Sequence, residues 1–424
     1  MNPDDYDLST SDGCRRALTR ALFDAVNEAA AECLAQMQRE AEAAVARVPR
    51  PIRRRTYVPR EHDVAHEHLF ADDFAEQPRW GPNVFRRHFR MSRDLFLRIV
   101  HTLEGRDEYF QYREDDIGRP GLTPLQKCTV AIRQLAYGTT ADMFDEYLHV
   151  GETTGRECLK NFCKIVVQAF GDIYLRRPTA DNCQSLMRMH ETVHGFHGML
   201  GSIDCMHWQW KNCPTAWRGQ YTSGYKGSHP TMILEAVANH RLWIWHAYFG
   251  VAGSNNDINV LNSSTLFADQ CRGRGPAIEF TANGRRHHMG YYLADGIYPR
   301  WPVFLKTISC PIGERRVLFA AKQESARKDV ERAFGVLQSR WAIVKGPARF
   351  WFKEVIADVM YACIIMHNMV VEQEVDMSPI GWMMKPDLAP ARRPRLSLED
   401  YRWALVRFYN ERPQCATNKI ILSS

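Results

Sequence analysis

Three carboxylates in this chain stand where stability alone gives no reason for them. Asp204 lies within Gly201-Ser-Ile-Asp-Cys-Met-His-Trp208. There Ile203, Met206, Trp208 and Trp210 roughly alternate with polar residues, the pattern of a strand with one buried face. A carboxylate inside a sheet must shed water, which is costly unless a cation or donor compensates. Asp295 ends a short apolar strand, Tyr291 to Ala294, just before Gly296. Glu331 falls on a helix predicted over Ser325 to Trp341, whose apolar stripe is Val330, Phe334, Leu337 and Trp341. At about 100° per residue, Arg327, Glu331 and Gln338 gather beside that stripe, with Arg327 spaced for an i, i+4 pair with Glu331. Each acid has an ordinary reading: a strand-end Asp bonded to backbone, a turn-forming Asp before Gly, a surface ion pair. Together they form an all-oxygen set of the kind that Mg²⁺ or Mn²⁺ takes. Two such ions about 4 Å apart activate a water or hydroxyl and stabilise the leaving oxygen of a phosphodiester. His207 would face the other side of a regular strand from Asp204, which favours Mg²⁺ or Mn²⁺ over zinc.

The elements needed to hold these groups follow from the same pattern. Strands are predicted at Gly201 to Trp210, Thr231 to Ala238 and Leu242 to Gly250, the last two joined by a tight turn at Asn239-His240-Arg241. Gly253-Ser-Asn-Asn-Asp257 leads into a short helix through Leu261, with Ser254 or Asn255 as its cap. With the strand at Tyr291 and the helices Ser325 to Trp341 and Phe352 to Val371, this predicts an α/β domain with a mixed sheet over residues 196–372.

Residues 80–195 are helical throughout. Pro124 opens a helix with Cys128, Ile132 and Leu135 on one side and Gly138 at its end; Ala141 to Leu148 and Thr153 to Phe170 follow. The tight connection between the last two resembles a helix-turn-helix. Arg156, Lys160 and Lys164 form a basic stripe on the final helix, suited to phosphates or to plain solvent. Residues 1–79 combine an Ala-rich helix over residues 15–47 with a basic run, Arg50, Arg53, Arg54 and Arg55, ending near Arg60. That run reads as an import signal, a phosphate-contacting arm or a solvated linker. Residues 373–424 form a Pro-rich basic tail with Arg392, Arg393 and Arg395 and a helix from about Leu396 to Arg412.

The chain has 424 residues, 45% apolar and 25% charged, the composition of a globular protein of two or three units. A net charge of +6 is compatible with a polyanionic partner. Its twelve cysteines include no Cys-x-x-Cys, which argues against a structural zinc site or a disulfide framework and for a reducing compartment. The N-terminus lacks the pattern of a signal peptide, and no apolar run approaches membrane-span length, so the cytosol or nucleus is expected and no membrane.

Gly-Ser-Ile-Asp204-Cys-Met-His, Leu-Ala-Asp295-Gly-Ile-Tyr-Pro and Arg327-Lys-Asp-Val-Glu331-Arg-Ala-Phe-Gly-Val-Leu-Gln resemble the DDE motifs of PIF/Harbinger-type transposases, most closely the Pong-like plant branch and the host proteins derived from it. The 35 residues between Asp295 and Glu331 match that family's spacing. Gly253-Ser-Asn-Asn-Asp257-Ile-Asn-Val-Leu and Met366-His367-Asn368 are also similar, so the resemblance runs from about Leu95 to Val371. It implies a ribonuclease H-like catalytic domain, preceded by the all-α helix-turn-helix-like domain. Asp204, Asp295 and Glu331 would hold two Mg²⁺ (or Mn²⁺), with His207 and Asp257 supporting the cleft. Gln338 stands where broader relatives often carry Lys.

The resemblance further implies DNA partners (terminal repeats and target), a Myb-like partner protein docking on the Ala-rich helix or basic tail, and a nuclear location. Pairing two DNA ends favours a homodimer. Candidate DNA contacts are Lys211, Arg218, Tyr221, Lys226, Arg285, Arg286, Arg315, Arg316, Lys322, Arg327 and Lys328, with Trp208, Trp210 and Trp217 able to stack on bases or to pack. Two other functions remain open: a host-adopted DNA- or chromatin-binding protein without transposition, and a metal-dependent hydrolase of small phosphoesters.

Overall fold

A computed structural model of the chain describes residues 11–45, 58–224, 227–264, 266–267, 276, 278–282 and 284–376. The chain divides into two compact units, Met1–Pro59 and Arg60–Ser424. In the first, the Ala-rich segment forms the helix Ser11–Val45, with Leu18, Leu22, Phe23 and Leu34 exposed. The basic run from Arg50 to Arg55 and the C-terminal tail lie outside the described residues.

The second unit is built on a five-stranded mixed sheet. Its strands are β1 Met199–Gln209, β2 Thr231–Ala238, β3 Ile244–Ala252, β6 Tyr291–Leu293 and β7 Phe304–Leu305, in the spatial order β3-β2-β1-β6-β7. β2 runs antiparallel to both of its neighbours, whereas β6 is parallel to β1 and to β7. A separate hairpin, β4 Phe280–Ala282 with β5 Arg285–His287, precedes β6. Neither this hairpin nor β7 is evident in the sequence, because pieces of two or three residues carry no periodicity.

β1 pairs with β2 from Ser202 to Gln209 but with β6 only from Met199 to Ser202. Beyond Ser202 one edge of β1 therefore opens into a cleft. Gly201 is required at the start of this stretch, because a Cβ there would come within 2.7 Å of the Ala238 carbonyl oxygen.

Helices cover the sheet. Glu152–Tyr174 packs against Pro124–Tyr137 on one side and against Lys353–Asp376 on the other, and the latter lies on β3. Pro124–Tyr137 starts at a capping box between Thr123 and Gln126 and ends at Gly138 in the left-handed region, φ 64°. One continuous apolar core runs from Leu69 through Phe162 and Trp210 to Val370.

The expectation that no apolar run approaches membrane-span length fails at the helix predicted over Phe352 to Val371. Helix Lys353–Glu374 has a mean hydropathy of 1.5, enough by length and composition to cross a bilayer, but 72% of that stretch is buried within the protein. It is the central core helix. Two further expectations change. The helix predicted over Ser325 to Trp341 is two, Glu314–Arg327 and Asp329–Arg340, joined at Lys328 (ψ −1°). The short helix after β3, Asp257–Ser263, is capped by Asn256, whose side chain accepts from Asn259 N at 2.9 Å, rather than by Ser254 or Asn255.

The Met366-His367-Asn368 segment stitches the core helix to the rest. Asn368 Oδ1 accepts from Ile244 N at 2.9 Å, while its Nδ2 donates to Tyr174 O at 2.7 Å and Ile244 O at 2.8 Å. His367 Nε2 lies 2.7 Å from Leu242 O and Nδ1 lies 3.0 Å from Arg340 Nη1. An Asn368→Ala substitution strands three buried backbone groups at once, at about 1–3 kcal/mol each where nothing replaces them. Chemical denaturation is expected to show a loss of about 3 kcal/mol or more; a loss under about 1 kcal/mol would refute this account of the segment.

Candidate active site

Ser202, two residues before Asp204, fixes the strand to the helix that faces it: its hydroxyl donates to Ala326 O at 2.9 Å. Gln323, one turn back on that helix and fully buried, donates to Ala294 O at 3.2 Å and to Leu305 O at 3.0 Å. The end of helix Glu314–Arg327 is thereby tied to β1, β6 and β7 together. Arg327, its last residue, projects among the acids. Its Nη1 lies 3.7 Å from Asp204 Oδ2 and 3.0 Å from Glu331 Oε1, and its Nη2 donates to Glu324 Oε1 at 2.8 Å. The guanidinium is largely buried, and its hydrogen bond to Glu324, with the charges of Glu331 and Asp204, raises its pKa still further despite burial.

Asp204 is half-buried, and its Oδ1 accepts from Cys205 N at 2.8 Å. Burial pushes its carboxyl up to about 6, reinforced by the charges of Glu331 and Asp257 and opposed by the Cys205 N–H and Arg327. Asp257 thus belongs to the same electrostatic cluster. Its position depends on Gly253, which donates to Thr231 O at 2.9 Å and where any Cβ would overlap the Thr231 side chain. Asp295 follows β6 by two residues. The β1–β6 pairing ends at Ser202 and Leu293, two residues short of Asp204 and of Asp295, so Asp295 lies past the last paired residue of the neighbouring strand. Its Oδ1 accepts from Ile297 N at 2.5 Å, so the Asp before Gly does form a turn. Glu331 is exposed in the first turn of its helix, where the helix dipole favours an anion.

On the far side of that first turn, about 200° round from Glu331, is a second cluster that the sequence reading did not find. Asp329, fully buried, accepts from His194 Nε2 at 2.8 Å and lies 3.7 Å from His240 Nδ1, and Arg332 bonds its other oxygen. Burial alone would raise the Asp329 carboxyl, but the hydrogen bond from His194, the nearby His240 ring and the Arg332 charge hold it well below the usual carboxylate range. The ligand atoms of His194, His240 and Asp329 all lie within 4.8 Å of one another, close enough to hold one metal ion. Helix Ala180–His194, the turn after β2 and the Glu331-bearing helix meet here, and no sequence spacing announces it.

The remaining predicted contacts are spread over the surface. Arg156, Lys160 and Lys164 are exposed, but Glu152 pairs with Arg156, and Asp358 lies near both lysines. Lys211, Arg218, Arg285, Arg286, Arg315, Lys322 and Lys328 are exposed and Arg316 is half-buried; Arg286 lies 3.4 Å from Glu279. Lys226 lies outside the described residues. Arg327 is held by carboxylates, and Tyr221 is buried edge-on to Trp210. His207 Nδ1 is 3.0 Å from Thr231 Oγ1, and Gln338 bonds Met206 at 3.1 Å. Trp208 and Trp210 are buried, their indole N–H groups donating to Gly346 O and Phe350 O. Trp217 is exposed with Lys353 Nζ 4.9 Å over its ring, beside exposed Arg349, Trp351 and Phe352.

A mixed sheet with one acid in the middle of its central strand, another just past the parallel neighbour and a third on a facing helix is thus the frame on which comparison with known proteins can be made. Residues 172–378 match the family described as plant transposon protein, and the chain carries a domain of that family, in agreement with the PIF/Harbinger resemblance. Residues 66–104 match a domain of unknown function. The chain is 22% identical over 301 residues to "Protein ALP1-like" of Arabidopsis thaliana, covering 69% of this chain and 72% of that protein. No solved structure matches.

Because the Asp204 carboxyl is raised in the folded state, its ionisation opposes folding. The cost is absent below the unfolded value near 4 and fully present above about 6. Without divalent cation, Asp204→Asn is expected to stabilise the protein by about 2 kcal/mol at pH 7.5 and by nothing at pH 3.5. Denaturation curves at the two pH values check this; an equal effect at both would contradict it.

Proposed function

We propose that the protein is a DNA transposase or endonuclease that cleaves and joins phosphodiester bonds, with Asp204, Asp295 and Glu331 as its metal-holding acids. The observation that carries this reading is the convergence of Asp204 and Glu331 on one buried cation, Arg327, with Asp295 just past the end of the parallel neighbour of β1. The order β3-β2-β1-β6-β7, with β2 alone reversed, supports a ribonuclease H-like catalytic domain. The donor set fits hard ions: every ligand is a carboxylate oxygen, and the positive charge already among them marks a place where a cation is stabilised. Two Mg²⁺ or Mn²⁺ ions would supply the acidity to activate water, and later a DNA 3′ hydroxyl, and would stabilise the leaving oxygen. Arg327, bonded on its other side to Glu324, has a carboxylate to retain it when the acids turn to metal. Asp257 adds negative charge at the rim.

DNA would lie along the open edge of β1, its phosphates meeting Lys211, Arg218 and Arg349, with Trp217 and Trp351 offering faces for unpaired bases. Helices Asp145–Leu148 and Glu152–Tyr174, preceded by Pro124–Tyr137, would form the helix-turn-helix-like part, with Arg156, Lys160 and Lys164 towards the DNA backbone. A nuclear location, a Myb-like partner and a homodimer that pairs two transposon ends complete the proposal.

The Arg327 clamp also favours a second reading, a host-adopted DNA- or chromatin-binding protein, since it neutralises the acids without metal. Thermal melts with and without Mn²⁺ separate the two. Ligand at 100 times its dissociation constant stabilises the folded state by about 2.7 kcal/mol. The wild type is expected to melt higher in Mn²⁺, Asp295→Asn and Glu331→Gln are not, and Mn²⁺-dependent cleavage of DNA should disappear in both variants. A wild type that neither shifts in Mn²⁺ nor cuts DNA would sink the enzyme in favour of the binding protein.

A further inference from the structure

We propose that His194, His240 and Asp329 form a zinc-type metal site, separate from the acidic cluster, that locks the first turn of the Glu331-bearing helix. Two imidazoles and one carboxylate are the donors of Zn²⁺ and its borderline neighbours, whereas Mg²⁺ and Mn²⁺ prefer oxygen alone. Zinc–nitrogen and zinc–oxygen bonds of about 2.0–2.1 Å in a tetrahedron put donor atoms about 3.3 Å apart. The separations of 2.8 and 3.7 Å from Asp329 Oδ2 bracket that figure, and the two histidine donors lie within 4.8 Å of each other.

The surroundings hold the donors ready. His190, fully buried, receives the His240 backbone N–H on its Nε2 at 3.3 Å, so its other nitrogen carries the hydrogen and donates to Met199 O at 3.1 Å. The same ring stacks on His194, with centroids 6.0 Å apart and planes at 18°. The turn bearing His240 and one face of His194 are thereby fixed without help from an ion. Arg332 bonds the Asp329 oxygen that the histidines do not use, the kind of outer partner that orients a ligating carboxylate. With its side chain 51% exposed, it keeps much of its charge in solvent. On binding, the ion takes the place of the hydrogen between His194 Nε2 and Asp329 Oδ2; His194 ligates as the neutral ring with its hydrogen on Nδ1, a second proton leaving for solvent where the ring carried one, and a water would fill the fourth position.

Metal-free full-length protein titrated with Zn²⁺ against a chromophoric chelator tests the site. One equivalent is expected to bind, with affinity falling at least tenfold in His194→Ala and in His240→Ala and unchanged in Glu331→Gln. Co²⁺ should give the visible bands of a tetrahedral nitrogen–oxygen site without thiolate charge transfer, which separates it from uptake by exposed Cys14 or Cys33. Circular dichroism confirms that the variants fold, and His240, a third exposed, is the substitution best tolerated. No stoichiometric uptake by the wild type, uptake indifferent to both histidines, or uptake lost only in Glu331→Gln would each overturn the site. The first outcome would leave a hydrogen-bonded clip, and the last would move the ion to the acidic cluster.

Discussion

A single guanidinium, that of Arg327, balances the negative charge at the centre of this protein. Asp204, Glu324 and Glu331 all lie within 4 Å of it, and Asp257 adds its field to Asp204. Remove that cation and a half-buried Asp, already raised to about 6, faces two other acids with nothing to offset them. That repulsion adds to the cost of burial, which is the larger cause of the raised Asp204 carboxyl. Whatever binds here must therefore bring positive charge.

The architecture works to keep that guanidinium in place. Its helix is bound to three strands through Ser202 and Gln323, side chains whose hydrogen bonds all go to backbone carbonyls. Backbone acceptors on a sheet do not move independently, so Arg327 and the strand ends bearing Asp204 and Asp295 shift as one body. Glu331 comes from a different helix and needs a separate anchor. The break at Lys328 lets Asp329 turn inward to His194 and His240 while Glu331 turns outward to Arg327. One helical turn thus serves two clusters on its opposite sides, and the inward one sets where the outward one points.

Much of this was legible in the sequence. β1, β2 and β6 and the capped helix at Pro124 were found within a residue or two, because alternation, cap residues and terminal glycines are local signals. The acids stood out for a related reason: Asp204 violates the apolar pattern around it, and the motif order tied it to Asp295 and Glu331. What stayed hidden depends on contacts far apart in the chain. Asp329 looks like any surface acid until His194, 135 residues earlier, is found beside it. Arg327 reads both as a DNA contact and as the partner of Glu331; the pair forms, but burial of the guanidinium rests on Ser202 and Gln323, which dock its helix on the sheet. Helix Lys353–Asp376 reads as largely apolar but not as long enough to cross a membrane; its Asp358, His367 and Glu372 interrupt the run, and each of these meets a partner in the fold.

The same charge argument bears on the choice between an enzyme and a binding protein. A protein kept only to bind DNA gains nothing from placing a carboxylate on β1 next to two other acids, since a DNA-facing cleft is better lined with cations throughout. Arg327 lowers that cost without removing it, because at 3.7 Å it is too far from Asp204 for a direct hydrogen bond. The best-satisfied contact of the guanidinium is instead with Glu324, outside the triad. An arrangement built solely for stability would put its shortest contacts on its most buried acid. Here Asp204, less exposed than Glu324 and Glu331, has the longest of the three contacts with the guanidinium, which suits the proposed role of a ligand group that receives a metal cation.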